Sequence, residues 1–469
     1  MRTNPADPYG KVLVVTGDNG DELVQAAMAL TLAPGHLEGP QARIPELNKP
    51  AYRQPDDAPR WLSTEHITPI GDISQTGDLQ GDGSVPVGIY FRVPPDLYYG
   101  TAAPQQNLAF HMNYRYNGVP LANESTLQVY MNSAYVSSTP MPHTTSASSA
   151  LSTVVPIPVV GDMRPFSNSM MLKFVFQIAK KGQCEDTAPL NLQGAILKDS
   201  YLDITGIPHW AAMPNLEIFA NAGYPFTRKA DLADTVVVLP DLPTTDELEM
   251  YLTLMGHFGA QTGYPALYVG VTNAEGMTAS AEKDYLVLGT VDDQPALTKV
   301  NGSLPVSIDQ GGLHIHDTQG FFGRVDNAWW RLDSSDHVKS GQLETAGGLP
   351  DAMIEGIEWP KGSNHSVVLI ALRDHQTQPG FLDAFLKSSQ SSDIGHSVSV
   401  LHGSTFSSYR IGNDVYHVGT LSWLVHMSLL FAEYPWIVVV ITVLVCFLMA
   451  VLIRAKLRRH ARGRLQGDY

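Results

Sequence analysis

Apolar and polar positions alternate with period two through much of residues 61–213. Leu127, Val129 and Met131 are separated by more polar residues, and similar short segments are divided by Gly, Pro, Asn and Ser. Such alternation is typical of half-buried strands, with one face toward a core and the other toward solvent. Regular short strands with these turns indicate a two-sheet β-sandwich or a jelly roll. We expect this all-β fold for residues 61–213.

Residues 214–418 follow a different pattern, in which continuous apolar runs alternate with amphipathic helical segments. Residues 236–239 and 266–271 predict buried strands, and Thr244 with Glu247 forms the capping-box pattern of a helix between them. This order indicates a right-handed βαβ unit in an α/β domain. The segments DYLVLGT, SVVLIALRDHQTQPGFLDAFL and SVSVLHG predict further strands and another helix. The buried face of the first helix is expected to carry Leu248, Leu252, Met255 and Phe258.

The first 60 residues contain only one more strand-and-helix pattern. Residues 12–15 are an apolar run, residues 23–30 place apolar side chains at helical spacing, and LEGPQARIP offers a second strand. One such unit cannot cover both faces of a parallel strand. We therefore expect residues 1–60 to be the remnant of an α/β domain and its linker, in a carboxy-terminal fragment of a longer protein. Since MRTNPADPYGKV has no apolar signal-peptide core, the alternative is a chain inserted through its tail alone.

The carboxy-terminal region predicts one membrane-spanning helix. Residues 436–453 contain no charge, and their helical length approaches the roughly 30 Å hydrocarbon thickness of a bilayer. The basic cluster that follows belongs in the cytoplasm by the positive-inside rule. We expect an amphipathic interfacial helix at 419–433, a break at Pro435, a transmembrane helix at 434–454 and a basic cytoplasmic tail at 455–469. Core packing is the alternative for each of the two helices.

Charge and cysteine content narrow the possible partners. The chain has a formal net charge of −16, although six basic residues and one acidic residue follow Ile453, so the body is more acidic still. Such a body repels nucleic acid and suits a neutral partner such as a glycan. Cys446 lies in the predicted span and Cys184 in the body, so the two cannot form a disulfide.

The candidate chemistry is mainly that of sugar recognition. Exposed aromatic rings stack on the C–H faces of sugars, although for any single tyrosine ordinary core and edge packing of the sandwich is the favoured explanation. HIHD places His314 and His316 on one face of a strand, but no third or fourth metal ligand is evident. No residue is therefore predicted to be catalytic, cofactor-binding or metal-binding. The many acids, such as Asp241, Asp246, Glu355 and Glu358, leave a glycosidase pair open, although their spacing singles out no pair. The predicted carbohydrate contacts are Tyr98, Tyr99, Tyr130, Tyr135 and Trp210.

A resemblance to a known family adds to this interpretation. Residues 214–271, the segment LKDSYLDITGIPHW and the final span with its preceding helix resemble the regulatory subunits of bacterial cellulose synthase, a family often named cyclic di-GMP-binding proteins. The resemblance implies periplasmic jelly-roll carbohydrate-binding and flavodoxin-like domains, here a jelly roll at 61–213 and a flavodoxin-like domain at 214–418. The segment 1–60 then resembles the end of a first flavodoxin-like domain. It also implies a single anchor in the bacterial inner membrane.

The resemblance further implies a non-catalytic accessory subunit of a complex in UDP-glucose metabolism. Its expected partners are the catalytic subunit, nascent cellulose and membrane lipid, with no nucleic acid. Cyclic di-GMP is expected on the catalytic partner, and no cofactor is expected on this chain. The alternative function is that of a membrane-anchored periplasmic glycan hydrolase. Contacts with the catalytic subunit or membrane are expected at Leu421, Trp423, Leu424, Trp436 and Arg454.

Overall fold

The structure is a computed structural model that describes most of the chain. The predicted residues Tyr99, Cys184 and His316 fall outside the described ranges. The described residues are 2–5, 7–74, 77–98, 108–117, 124–142, 150–157, 163–164, 167–177, 192–279, 282–309, 312–315, 349–388, 393–411, 415–433 and 435–465.

The amino-terminal segment contains a hairpin and a helix. Strands β1 (Arg2–Asn4) and β2 (Asp7–Val12) pair antiparallel, and helix α1 (Gly20–Leu32) begins after Asn19, whose side chain accepts a hydrogen bond from the Glu22 amide. The predicted helix is confirmed. The predicted strand at 12–15 is wrong beyond residue 12, and LEGPQARIP forms no strand. No described strand pairs with residues 13–15, and an apolar run without neighbouring strands has no sheet in which to be buried: Val14 is 64% exposed.

A strap of residues 53–62 joins the two larger domains. On one side Pro55 bridges to Lys229, and the Asp56 amide donates to the Arg228 carbonyl at 2.8 Å. On the other side the Leu62 amide donates to the Arg92 carbonyl at 2.9 Å. The strap thus belongs to both domains through its backbone.

The region after the strap is an antiparallel sandwich, which confirms the all-β expectation. One sheet has the order β11-β5-β10-β3, with β8 also paired to β5, and the other has the order β4-β9-β6-β7. Alternate residues of both sheets form one core, in which Phe91, Phe110 and Phe174 are buried. The elements are α2 (Ile70–Ser74), β3 (Leu79–Gly81), β4 (Val87–Arg92), β5 (Ala109–Tyr116), β6 (Thr126–Met131), β7 (Ala134–Pro140), β8 (Leu151–Pro156), β9 (Ser167–Val175), β10 (Gly194–Ile196) and β11 (Tyr201–Asp203).

The second large domain is an α/β domain with a mixed central sheet. Its elements are β12 (Trp210–Met213), α3 (Leu216–Ala222), β13 (Thr235–Val238), α4 (Thr245–Thr262), β14 (Gly270–Thr272), β15 (Asp284–Thr290), α5 (Ala296–Val300), β16 (Val306–Asp309), β17 (Gly312–Ile315), β18 (Ala352–Glu358), β19 (Ser366–Leu372), α6 (Gln378–Ser388), β20 (Val398–His402), β21 (Thr405–Tyr409) and β22 (Tyr416–Gly419). Short 3₁₀ helices lie at Pro34–His36, Phe226–Arg228, Asn301–Ser303 and His375–Thr377.

The central sheet has the order β14-β13-β15-β19-β18-β20-β21. The first four strands are parallel, whereas β18, β20 and β21 pair antiparallel with their neighbours. Helices α3, α4 and α6 pack on one face through residues such as Phe219, Phe258 and Phe385, and α5 packs on the other through Ala296 and Val300. Two covered faces explain why β15 and β19 are buried along their whole length.

Helix α4 confirms the predicted capping box and, at Met255 and Phe258, half of the predicted buried face. The Thr244 hydroxyl accepts from the Glu247 amide, and the Glu247 carboxylate accepts from the Thr244 amide. The core side carries Met250, Leu254 and Phe258, whereas Leu248 and Leu252 are exposed. Both sets have near-helical spacing, so the docking of α4 on the sheet decides which of them is buried.

Two helices end the described chain, α7 (Trp423–Glu433) and α8 (Pro435–Leu465), and they confirm the break at Pro435. Within the described ranges, one segment, Pro435–Arg462, has the length and apolar composition needed to cross a bilayer. The apolar part of this segment is not buried against the rest of the described chain, which contradicts the alternative of a core helix. The helix also continues past Arg454 through the basic residues.

Candidate functional site

The outer face of the four-stranded sheet carries a row of large side chains. Tyr90 and Tyr135 are exposed, and Tyr130 is half-buried. Strand register places Met171 of β9 opposite Tyr130 of β6, and Tyr130 opposite Tyr135 of β7. On its other side β9 pairs with β4, the strand that carries Tyr90. These positions are the solvent-facing half of the alternation that builds the core, so the row crosses the whole sheet.

The two predicted tyrosines of this row meet edge to face. The ring centroids of Tyr130 and Tyr135 are 5.7 Å apart, and their planes are inclined by 74°. The Tyr130 hydroxyl donates to Gln128 Oε1 at 2.8 Å. The pair therefore offers one open aromatic face beside an amide, rather than two coplanar rings.

Two other predicted aromatic residues lie elsewhere, at the junction of the two large domains. The Tyr98 amide donates to the Pro208 carbonyl at 2.9 Å, and the Trp210 amide donates to the Asp96 carbonyl at 2.7 Å. Trp210 begins β12, which pairs with β22 rather than with either sandwich sheet. The structure thus divides the four described aromatic residues into two places.

The junction leads directly to the carboxy-terminal helices. The Thr420 amide donates to the His209 carbonyl at 3.0 Å, and Gly419, with φ +101°, lies so close that a Cβ there would overlap the same carbonyl. The indole of Trp210 also meets His426 of α7 edge to face, at 5.4 Å between centroids. The backbone and an aromatic contact therefore join α7 to the body.

Beneath Trp210 lies a partly buried polar cluster. His209 Nδ1 is 2.9 Å from Asp96 Oδ1 and 3.7 Å from Asp56 Oδ2, and His209 Nε2 is 2.9 Å from Thr64 Oγ1. Burial and the neighbouring Asp96 carboxylate raise the pKa of Asp56 to about 7. Although burial opposes it, the hydrogen bond and charge of Asp96 raise the pKa of His209 above its usual value. Tyr224 closes the cluster, with its hydroxyl 3.4 Å from Asp96 Oδ2.

The predicted membrane or partner contacts are mostly exposed. Trp423 is 72% exposed and Leu424 is also exposed, whereas Val425 between them and the body is buried. Leu421 and Trp436 are half-buried, and Arg454 is exposed on α8. One side of α7 thus packs on the domain and leaves Trp423 and Leu424 available.

The acids weighed as glycosidase candidates have other surroundings. Glu355 is completely buried in β18, while Glu358 Oε1 accepts from the Asn364 amide at 2.9 Å. Asp241 Oδ1 accepts from Asn273 Nδ2 at 2.9 Å. Glu355 and Glu358 stand on opposite faces of their strand, so they do not form a facing pair.

Models of one family match the chain in three consecutive parts. Residues 1–44 match "Cellulose synthase BcsB, first FD domain", residues 69–201 match the second CBM domain of BcsB, and residues 209–370 match its second FD domain. Together these matches cover well over half of the chain. The chain belongs to the cellulose synthase BcsB family.

Curated relatives agree with the BcsB family. The chain is 34% identical to the cyclic di-GMP-binding protein of Xanthomonas axonopodis pv. citri, over 98% of this chain and 60% of that protein. It is 31% identical to the protein of the same name from Pseudomonas fluorescens, over 98% of this chain and 63% of that protein. A putative cellulose synthase 3 of Komagataeibacter xylinus is 29% identical, over 99% of this chain and 31% of that protein. The chain spans about three fifths of the length of the first two relatives.

Among solved structures, a family 35 carbohydrate binding module from an environmental isolate matches 32% of this chain and 85% of its own, with 13% identity. The TM-score is 0.17, and a likeness of that size carries no argument about this BcsB chain.

Sequence reasoning omitted two features of this BcsB chain. Tyr90 was not among the predicted contacts, although the alternation of Ile89, Tyr90 and Phe91 already places it on the solvent face of its strand. The meeting of Asp56, Asp96 and His209 has no local signal, because these residues come from distant parts of the chain. The possible metal site at HIHD remains untested, because His314 lies in the described range 312–315 but His316 lies outside it.

Proposed function

We propose that this BcsB chain is a non-catalytic, membrane-anchored periplasmic subunit of bacterial cellulose synthase. It supports the catalytic subunit through its carboxy-terminal helices and guides nascent β-1,4-glucan through the periplasm. In this proposal the sandwich is a jelly roll of the carbohydrate-binding kind. The α/β domain is flavodoxin-like in its parallel half. Its four parallel strands, numbered among themselves in chain order, are arranged 2-1-3-4, while the other strands of the sheet are antiparallel.

The observation that carries the proposal is the bare apolar helix Pro435–Arg462 on a chain of the BcsB family. A surface of this size and polarity is not stable in water, so lipid or the apolar helices of a partner must cover it. The basic residues after Ile453 orient its end toward the cytoplasm of the inner membrane. Both large domains then lie in the periplasm.

The partner is the catalytic subunit of the synthase. A relative named as a putative cellulose synthase contains the matching region within a much longer chain, which supports an association of the two functions. Trp423, Leu424 and the exposed face of α8 provide the apolar contact surface. Cyclic di-GMP, present in the names of other relatives, is assigned to the catalytic partner, because it is a cytoplasmic ligand and this chain places only a short basic segment there.

The glycan path is proposed along the row formed by Tyr90, Met171, Tyr130 and Tyr135. Its apolar surface suits the C–H face of a glucose ring, and Gln128 supplies an amide for a sugar hydroxyl. The acidic body suits a neutral polymer. Tyr98 and Trp210 belong to a second, membrane-proximal position on the same proposed path.

Co-reconstitution with the catalytic subunit in liposomes tests this function. Truncation after Gly419 is expected to abolish stimulation of glucan synthesis, and Trp423→Ser with Leu424→Ser is expected to weaken it. The exposed Leu242→Ser, far along the chain from the anchor, is the control. Undiminished synthesis by the truncated chain contradicts the supporting role.

Two further measurements test orientation and the rival hydrolase. Protease added to spheroplasts is expected to digest both large domains, and protection of those domains contradicts the periplasmic assignment. Purified chain incubated with cello-oligosaccharides is expected to bind without turnover. Release of shorter sugars supports the glycan hydrolase instead.

A further inference from the structure

The cluster beneath Trp210 gathers three potential metal ligands from three segments. Asp56 comes from the strap, Asp96 follows β4, and His209 immediately precedes β12. One ligand atom from each lies within 4.8 Å of the others. Among the described residues, this is the only group of three or more potential metal ligands. None of the three was singled out by the sequence, which predicted no metal ligand.

The spacing of the donors fits one first-row cation. A zinc ion about 2.1 Å from each nitrogen or oxygen separates neighbouring donors by roughly 3.0 to 3.4 Å, for octahedral and tetrahedral geometry respectively. The observed separations from His209 Nδ1 are 2.9 Å to Asp96 Oδ1 and 3.7 Å to Asp56 Oδ2. The two distances from His209 Nδ1 therefore lie within a few tenths of an ångström of those required, and the two carboxylate oxygens lie within 4.8 Å of each other.

The cluster also contains an oxygen atom without a partner. Asp56 Oδ1 is shielded from solvent and has no hydrogen-bond partner in the structure. Asp96 is 3% exposed, whereas the side chains of Asp56 and His209 are 16% and 28% exposed, so two carboxylates share one imidazole in a partly buried region. A carboxylate oxygen shielded from water without a partner is unfavourable, and a cation bound to the carboxylate offsets that cost.

The surroundings already hold the ligands in a binding orientation. In the structure His209 Nδ1 is within hydrogen-bond distance of Asp96 Oδ1, so a cation bound there takes the place of the Nδ1 proton, while Nε2–H donates to Thr64 Oγ1 and holds the ring. The Tyr224 hydroxyl contacts the other oxygen of Asp96, leaving Oδ1 toward His209. Metal-binding histidines and carboxylates commonly have such partners on the atom that does not bind the metal.

We propose that Asp56, Asp96 and His209 form a binding site for a divalent transition cation, with Zn²⁺ the best match to two carboxylate oxygens and one imidazole nitrogen. Imidazole in the ligand set disfavours Mg²⁺ and Ca²⁺, which prefer oxygen. Water completes the coordination. The site is structural, because it joins the strap, the sandwich and the start of β12.

Such an ion acts on the connection to the anchor. The carbonyl of His209 accepts the hydrogen bond of Thr420, the residue that leads into α7. An ion that holds His209 in place therefore also holds the amino-terminal start of α7 in place relative to both domains. This inference does not depend on the proposed role in glucan synthesis.

Metal binding is tested on the full chain in detergent, purified without a histidine tag and stripped with a chelator. Isothermal titration with Zn²⁺ is expected to show one site per chain, and the bound metal is counted by elemental analysis. Asp56→Asn is expected to weaken binding by about 100-fold, and Tyr224→Phe by about tenfold. Asp293→Asn is the matched control, because Asp293 Oδ2 pairs with His375 Nε2 at the same 2.9 Å but has no third ligand.

A second measurement on the unaltered chain keeps the test independent of variant folding. Co²⁺ added to the stripped protein is expected to give visible ligand-field bands that Zn²⁺ then removes. Zn²⁺ is also expected to raise the thermal midpoint of the unaltered chain and of Asp293→Asn, but not of Asp56→Asn. Absence of saturable Zn²⁺ binding, or equal binding by Asp56→Asn, overturns the proposal and leaves a protonated carboxylate pair in its place.

Discussion

The indole of Trp210 stacks on the imidazole of His417, with ring centroids 4.6 Å apart and 12° between their planes. Trp210 comes from the first strand after the sandwich, and His417 from the last strand before α7. The stack therefore closes the α/β domain where its chain enters and leaves. Its edge-to-face contact with His426 extends this closure to the anchor helix.

Trp210→Ala is expected to loosen α7. Loss of the stack and of the half-buried indole is expected to lower the free energy of unfolding by about 2 kcal/mol. Amide hydrogen exchange across Trp423–Glu433 in nanodiscs is expected to accelerate, because α7 loses its aromatic contact with the body. Leu242→Ala is the control, since that side chain is 89% exposed and lies far along the chain from α7. Unchanged exchange in Trp210→Ala contradicts a joining role for the stack.

Tyr135→Ala is expected to weaken binding of cellohexaose. Loss of one stacking face corresponds to about 1 kcal/mol, or about fivefold in Kd. Tyr130→Phe keeps the ring and removes the hydroxyl that donates to Gln128, so its effect is expected to be smaller. Tyr9→Ala, at a tyrosine 94% exposed on β2, serves as the control in the same titration. Equal affinities for Tyr135→Ala and Tyr9→Ala place the glycan elsewhere.

Gly419→Ala is expected to disrupt the connection between the body and α7. Both Gly419 and Gly403 have positive φ, +101° and +64°, but only at Gly419 does a Cβ meet the His209 carbonyl, whereas Gly403 faces open space. Gly403→Ala is expected to cost about 1 kcal/mol of stability from backbone strain alone, and Gly419→Ala about 3 kcal/mol or more. Thermal unfolding of the two variants measures the difference. Equal midpoints contradict the close approach at Gly419.

Glu355→Gln is expected to change how stability depends on pH. Complete burial raises the pKa of Glu355 from 4.5 to about 8, although the hydrogen bond from the Val306 amide opposes the shift. Between these values the folded chain retains a proton that the unfolded chain releases. The contribution of Glu355 to stability is therefore complete below pH 4.5 and declines as pH rises toward 8, by about 1.4 kcal/mol per unit.

Denaturant titrations from pH 4.5 to 8.5 measure this dependence. Glu355→Gln cannot ionise, so its free energy of unfolding is expected to fall less steeply with pH than that of the unaltered chain. Glu249→Gln, on the exposed face of α4, is expected to keep the original slope. Parallel slopes for all three chains contradict a buried proton at Glu355.

Local signals in the chain were sufficient for many elements. The Thr244–Glu247 capping box lies within four residues and is formed in the structure as predicted. The apolar runs of β15 and β19 predicted strands, which the structure confirms, and the break at Pro435 follows from the ring of proline itself. These features depend on neighbours in sequence, so no distant contact was needed to infer them.

Other features depended on partners far along the chain. Residues 13–15 have the composition of a buried strand but no described strand beside them. Helix α4 buries Met250 and Leu254 instead of Leu248 and Leu252 because of how it docks. The sequence by itself determined the composition of each segment, its period and the exposed apolar helix at the end. Only the tertiary structure decided that Asp56, Asp96 and His209 meet, because hydrophobic packing of two domains around a strap brings together polar groups that have no interaction in the extended chain.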